Sequence, residues 1–256
     1  MLPNWHEAAI VYLGATLAGM VVNPILPSLR DRELRYILED TGAAMIVIPG
    51  LYRGQDYPAM LARVTADLPT PPEVVVVRGA ETGFTGYEEL FSGTPAVTLP
   101  DVDPDAVALL LYTSGTTAAP KGVLHSQRGL RALLTQIGHY WRVESGDTFL
   151  VPSPIAHIGG SIYAFEAPLL LGSTAVLMQR WDPDVAVALM QTHRCSHMAG
   201  ATPFLTGLLE AARRAGSRLP DLKVFICGGA SVPPSLILDA TDFFDNAVVT
   251  RVYGST

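Results

Sequence analysis

The chain has 256 residues, 49% hydrophobic and 16% charged, enough apolar material for one substantial core or two of ordinary domain size. Its net charge of −7 argues against a nucleic-acid or anionic-membrane surface as the main partner, since either requires an excess of Lys and Arg; a local basic pocket stays open. Two cysteines, Cys195 and Cys227, form no disulfide framework and suit a reducing, cytoplasmic compartment.

Asn4 and Glu7 have the spacing of a capping box and predict an Ala-rich helix from about Trp5. The apolar run at 8–22 is shorter than the ~20 residues of a membrane span and is stopped by Asn23-Pro24. No Lys or Arg precedes it, so neither a transmembrane segment nor a signal peptide is expected. A second helix follows, with Asp31 near its start, Leu34, Ile37 and Leu38 on one face, and Gly42 as a left-handed stop. Residues 43–48 read as a strand, a helix carrying Met60, Leu61, Val64 and Leu68 comes next, and the run EVVVV at 73–77 is another strand. Residues 78–105 read as a long surface connection.

After the strand-like run at 109–112 and a hydroxyl-rich turn, Leu130, Leu133, Leu134 and Ile137 mark a helix. Strands are then expected at 148–154, 173–178, 195–200, 223–229 and 247–256. Between them come helices from about Gly160, at Asp182-Pro183, from Pro203 and from Pro233. Continuous apolar strands alternating with helices predict an α/β chain of two lobes, 1–143 and 144–256, with mostly parallel sheets covered by helices.

The turn reads YTSGTTAAPKGV. Small residues allow close approach, free backbone N–H groups bind anions, and Lys121 adds a full charge. It departs from the pattern G-x-x-x-x-G-K-[ST], because Pro120 stands at the second glycine and Gly122 at the hydroxyl. The order TSGTTxxPKG resembles instead the phosphate-binding signature of the adenylate-forming, or AMP-binding, superfamily, in its acyl- and aryl-CoA synthetase branch. The segments LAGMVVNPILPSLRDRELRYILEDTGA, PSPIAHIGG, CGGASVPP and YGST resemble further motifs of that family in the right order, so the likeness covers essentially the whole chain.

That resemblance implies the N-terminal domain of an enzyme that joins ATP and a small carboxylic acid into an acyl-adenylate, then passes the acyl group to coenzyme A. It assigns the β- and γ-phosphates to Thr113, Ser114, Gly115, Thr116, Thr117 and Lys121, with Thr116 toward Mg²⁺. His157 would orient the carboxylate, Gly228, Gly229 and Ala230 would border adenine, Tyr253 and Gly254 would meet the base, and Thr256 would bond the α-phosphate. Thr202 and Pro203 are further candidates for the pocket wall. Ala164, Phe165 and Pro168 suggest an uncharged acyl pocket for a medium-chain or alicyclic acid. Ala118 stands where the family usually has glycine, which restricts the loop if positive φ is required.

The family's motif continues past Thr256 with a Mg²⁺-binding glutamate and, further on, a mobile C-terminal domain. The expectation is therefore an incomplete domain, clipped at both ends and inactive alone, with a homodimer left open. Three other readings are weighed. His193, Cys195 and His197 would share one strand face and could ligate a metal, but a second pair of ligands at familiar spacing is missing. A serine hydrolase lacks its G-x-S-x-G elbow around Ser161. A non-catalytic module binding nucleotide, acyl groups or a partner protein on the same fold remains the alternative.

Overall fold

The apolar run after Trp5 folds as helix α1 (His6–Leu17) in the computed structural model of this chain, which describes residues 1–79, 83–93, 98–113, 120–254 and 256. Trp5 occupies the cap position without a side-chain cap hydrogen bond, so the expected capping box does not form. Asn4 is engaged elsewhere, as shown below. The chain leaves the helix through Gly19 at φ 73° and never extends it to Val22.

Helix α2 (Asp31–Thr41) buries Leu34, Ile37 and Leu38 and stops at Gly42 with φ 57°, as its sequence predicts. Strand β1 (Met45–Pro49), the two-residue ribbon of β2 (Leu51–Tyr52) and β3 (Gln55–Asp56), helix α3 (Tyr57–Thr65), β4 (Glu73–Val77) and β5 (Thr85–Gly86) follow. β1, β4 and β5 form a parallel sheet in that order, with Met45 opposite Glu73. The β-branched runs of β1 and β4 are buried, as parallel strands require. The connection expected at 78–105 is partly structured: besides β5 it holds a 3₁₀ turn, Tyr87–Phe91, that buries Tyr87.

Strand β6 (Val107–Thr113) pairs antiparallel with β7 (Lys121–Ser126). Helix α4 (Gln127–Tyr140) is capped by the Ser126 hydroxyl, which accepts from the Gly129 amide at 3.2 Å. Then come β8 (Thr148–Val151), α5 (Ile158–Ser161), a π-helical turn (Ile162–Glu166), α6 (Ala167–Leu171), β9 (Thr174–Leu177) and α7 (Pro183–His193). The chain continues through β10 (His197–Gly200), α8 (Thr202–Arg214), β11 (Val224–Gly228), α9 (Pro234–Phe243) and β12 (Val248–Val252).

The last five strands make one parallel sheet in the order β12-β11-β10-β8-β9. Leu150, Met198, Phe225 and Val249 share a buried core with Met190, Leu205, Leu208 and Leu209 of α7 and α8. The chain steps outward from β8 to β9, then crosses back to β10 on the other side of β8. That reversal makes the carboxyl ends of β8 and β10 a topological switch point, the place where open α/β sheets bind ligands.

By contact the residues group into two compact units, Met1–Pro3 with Pro24–Asp101, and Asn4–Asn23 with Val102–Thr256. Every candidate site residue of the sequence lies in the second unit.

Candidate active site

Beyond β8 the chain turns through Pro152, Ser153 and Pro154 into His157, the cap residue of α5. The His157 carbonyl accepts from the amides of Gly160 at 2.8 Å and Ser161 at 3.0 Å. Its Nδ1 accepts from the Gly159 amide at 3.1 Å. With Nδ1 acting as acceptor, the hydrogen of the neutral ring sits on Nε2, which is left as a donor. Desolvation by the surrounding chain holds the ring's pKa below the ordinary imidazole value and favours this neutral form. Gly160 is dictated by packing: a Cβ there would stand 2.3 Å from the Pro154 carbonyl oxygen and 2.7 Å from that of Ser153.

Strand β11 ends at Gly228, directly opposite Val252 of β12. A Cβ on Gly228 would lie 2.6 Å from Val252 Cγ1 and 2.7 Å from its carbonyl oxygen. Gly229 follows at φ 79°, which L side chains rarely adopt, and Ala230 is exposed. The Thr202 hydroxyl donates to the Ser231 carbonyl at 2.9 Å and ties the start of α8 to this turn. Tyr253, one residue beyond β12, is 98% exposed. The strand expected to run through 256 thus stops at Val252 and leaves the aromatic ring in solvent beside a backbone surface nearly bare of side chains. That arrangement fits a planar base.

Thr113 and Lys121 face one another as partners at the end of the β6–β7 ribbon, with Thr113 Oγ1 3.5 Å from the Lys121 carbonyl oxygen. Ser114, Gly115, Thr116, Thr117 and Ala118 lie outside the described residues. The sequence suggested strand, turn and helix; a second strand, β7, separates the turn from α4 instead. Ser126 therefore caps that helix. Lys121 is exposed.

The proposed metal triad does not form. His193 closes α7, while Cys195 and His197 are buried, and the His197 ring is stacked on Phe149 at 4.8 Å. His197 Nδ1 pairs with the Ser196 hydroxyl at 2.9 Å and Nε2 with the Trp141 carbonyl at 3.0 Å. Both ring nitrogens are thus committed, and no group of three or more His, Cys, Asp or Glu placed to hold a metal occurs among the described residues. Nearby, the buried Asp147 accepts from Lys223 Nζ at 2.8 Å and from the Glu144 amide at 2.8 Å. A cavity of about 580 Å³ between Trp141 of the α4 end and Val224 and Val248 of the sheet is lined by none of the candidate residues.

Three residues escaped the sequence reading. The Asn4 Nδ2 group lies 3.2, 2.9 and 3.2 Å from the carbonyl oxygens of Val151, Ser153 and Met178, and Asn4 Oδ1 accepts from the Ile155 amide at 3.1 Å. Tyr12 stacks on Phe165 with centroids 4.3 Å apart and donates its hydroxyl hydrogen to Glu166 Oε1. Glu166 Oε2 is enclosed with no partner among the described residues. Burial pushes the Glu166 pKa up to about 7, although the Tyr12 hydroxyl pulls the other way. The only signal in the sequence was a lone carboxylate inside the apolar run IYAFEAPLLL.

Residues 1–256 match the family model described as AMP-binding enzyme. The chain is 30% identical over 262 residues to the medium-chain fatty-acid–CoA ligase of Escherichia coli (strain K12), covering 100% of this chain and 45% of that protein. It is 29% identical over 265 residues to a 3-[(3aS,4S,7aS)-7a-methyl-1,5-dioxo-octahydro-1H-inden-4-yl]propanoyl:CoA ligase of Rhodococcus jostii (strain RHA1), covering 99% of this chain and 52% of that one. The chain thus spans about half the length of these curated relatives. Among solved structures, a luciferase-like enzyme from the mealworm Zophobas morio superposes with a TM-score of 0.86 at 18% identity, over 99% of this chain and 58% of the other. The inhibitor-bound N-terminal domain of FACL13 from Mycobacterium tuberculosis gives 0.80 at 26% identity, over 99% and 61%.

Proposed function

Since the chain belongs to the AMP-binding enzyme family along residues 1–256, we propose that it supplies the ATP- and acid-binding face of an acyl- or aryl-CoA ligase. The reaction is ATP-dependent conversion of a carboxylic acid to an acyl-adenylate, followed by thioester formation with coenzyme A. One observation carries the reading: His157 follows β8, the bare turn ends β11 and Tyr253 follows β12, all at carboxyl ends of strands in a single parallel sheet.

The residues divide the work by chemistry. Thr113, Ser114, Gly115, Thr116, Thr117 and Lys121 take the β- and γ-phosphates, and Thr116 is the residue that would hold Mg²⁺. Bound Mg²⁺ supplies charge neutralisation for the departing pyrophosphate. Gly228, Gly229, Ala230 and Gly254 leave room for adenine beside the Tyr253 ring, and Thr256 meets the α-phosphate. The neutral His157 ring donates from Nε2 to the substrate carboxylate and so orients it. In this reading 1–143 provides the phosphate loop and 144–256 the acid and base seats. Ala164 and Phe165, buried and apolar, support an uncharged medium-chain or alicyclic acyl group, with fatty-acid metabolism as the setting. Cys195 and Cys227, free and buried, support a cytoplasmic location.

Pyrophosphate release is measured on the full-length protein that carries these residues, with ATP, Mg²⁺ and a panel of carboxylic acids, next to calorimetric titration of ATP. Acid-dependent release supports the ligase reading. ATP binding without release for any acid points to a binding module, and absence of ATP binding overturns both.

A further inference from the structure

We propose that α1 is a two-point brace for the His157 segment, with Asn4 and Tyr12 as positioning residues that grip the chain before and after the histidine. Asn4 holds Ser153 and Ile155, four and two residues ahead of His157, and through Val151 and Met178 it joins them to the ends of β8 and β9. Its two amide hydrogens are shared among three carbonyl oxygens, and its own oxygen is used as well. Tyr12 holds Phe165 by ring stacking and Glu166 by its hydroxyl, at the far end of the π-helical turn that begins five residues after His157.

An apolar helix packed for burial alone needs neither contact. Alanine or leucine at both positions would cover the same surface without enclosing a side-chain amide and a phenol hydroxyl, each of which is costly to remove from water. The grips also fall on either side of the feature that aims the ring, the tight turn forced by Gly160 against Pro154. The π-helical turn, a geometry often retained at functional sites, is held by Tyr12 at its last two residues. The value of this brace to a carboxylate substrate rests on the proposed ligase function; the brace itself does not.

The test uses the whole chain and its six histidines as reporters. Imidazole nitrogen resonances are followed by NMR against pH in the wild type, in Tyr12→Phe, which keeps the stack and removes only the hydroxyl, and in Asn4→Ala. The brace predicts that the His157 titration midpoint moves upward toward the ordinary imidazole value in each variant, while the buried His197, held by Ser196 and Trp141, keeps its own. A His157 midpoint equal to wild type in Tyr12→Phe overturns the proposal, whether or not Asn4→Ala folds. Movement of all six together, the mark of general loosening, overturns it too. Octanoate added with ATP to the wild type separates the two ideas: if His157 does not respond, the acid-binding reading fails while the brace is still decided by the variants.

Discussion

The hydroxyl of Tyr12 donates to the carboxyl of Glu166, 154 residues further along the chain, and leaves the second carboxyl oxygen enclosed without a partner among the described residues. A carboxyl whose pKa is about 7 in the folded chain and near 4.5 when unfolded binds its proton more tightly in the native state. Its contribution to stability is fully present below the unfolded value and is lost as pH rises toward and through 7. Glu166→Gln removes that loss. The variant should be more stable than wild type at pH 8, by up to about 3 kcal/mol, and should converge on it near pH 5. Urea unfolding at the two pH values measures this; an equal difference at both would show that ionisation is not the cause.

Asp147 behaves in the opposite sense. Burial would raise its pKa, yet the Glu144 amide, Lys223, Ser196 and His197 together hold it below the ordinary carboxylate value. Its stabilisation is present above the unfolded value and fades as pH falls through the folded one. Asp147→Asn should cost about 2 kcal/mol at pH 7, with the gap narrowing below about pH 4. Paired denaturant midpoints across that range are the check.

Gly160→Ala drives a methyl group into two backbone carbonyls, which cannot swing aside as a flexible side chain can. The expected cost is about 1–3 kcal/mol; under the proposed ligase function, the full-length variant should lose acid-dependent pyrophosphate release at unchanged ATP affinity. Gly159→Ala meets only the His157 ring, at 3.3 Å, and should be milder in both respects. Thermal melts and ATP titration on the pair separate strain from general damage.

Lys121→Ala should weaken ATP binding by about 1.5–3 kcal/mol, roughly ten- to a hundred-fold, because the exposed ammonium is the full charge of the motif. Calorimetry reads this directly. Unchanged heats would remove the phosphate role from the β6–β7 turn.

The elements that were legible in the sequence carry their instructions locally. The Gly42 stop, the Asp182 cap accepting from the Asp184 and Val185 amides, and the β-branched runs of β4 and β11 need no distant partner to be recognised. Asn4 was misread because its spacing to Glu7 satisfies a local rule, while its actual partners, at Val151, Ser153 and Met178, stand 147 to 174 residues away. Strand β7 is missed between the turn and the helix for a related reason. A strand of six residues beginning KGVLHS has little alternation of its own and is defined by pairing with β6. The order of the motifs that carry His157, Gly228 and Tyr253 is legible in the sequence, although the strand end before Tyr253 is not; the brace that surrounds the first of them is not legible either.

Thr113 and Lys121 are cross-strand partners, so the two residues that flank the intervening sequence are fixed side by side. A connection with joined ends pays for added residues only as the logarithm of its length. Insertions or deletions there leave the register of β6 and β7 untouched. The number of residues between them is thus a variable separable from the pairing of the two strands.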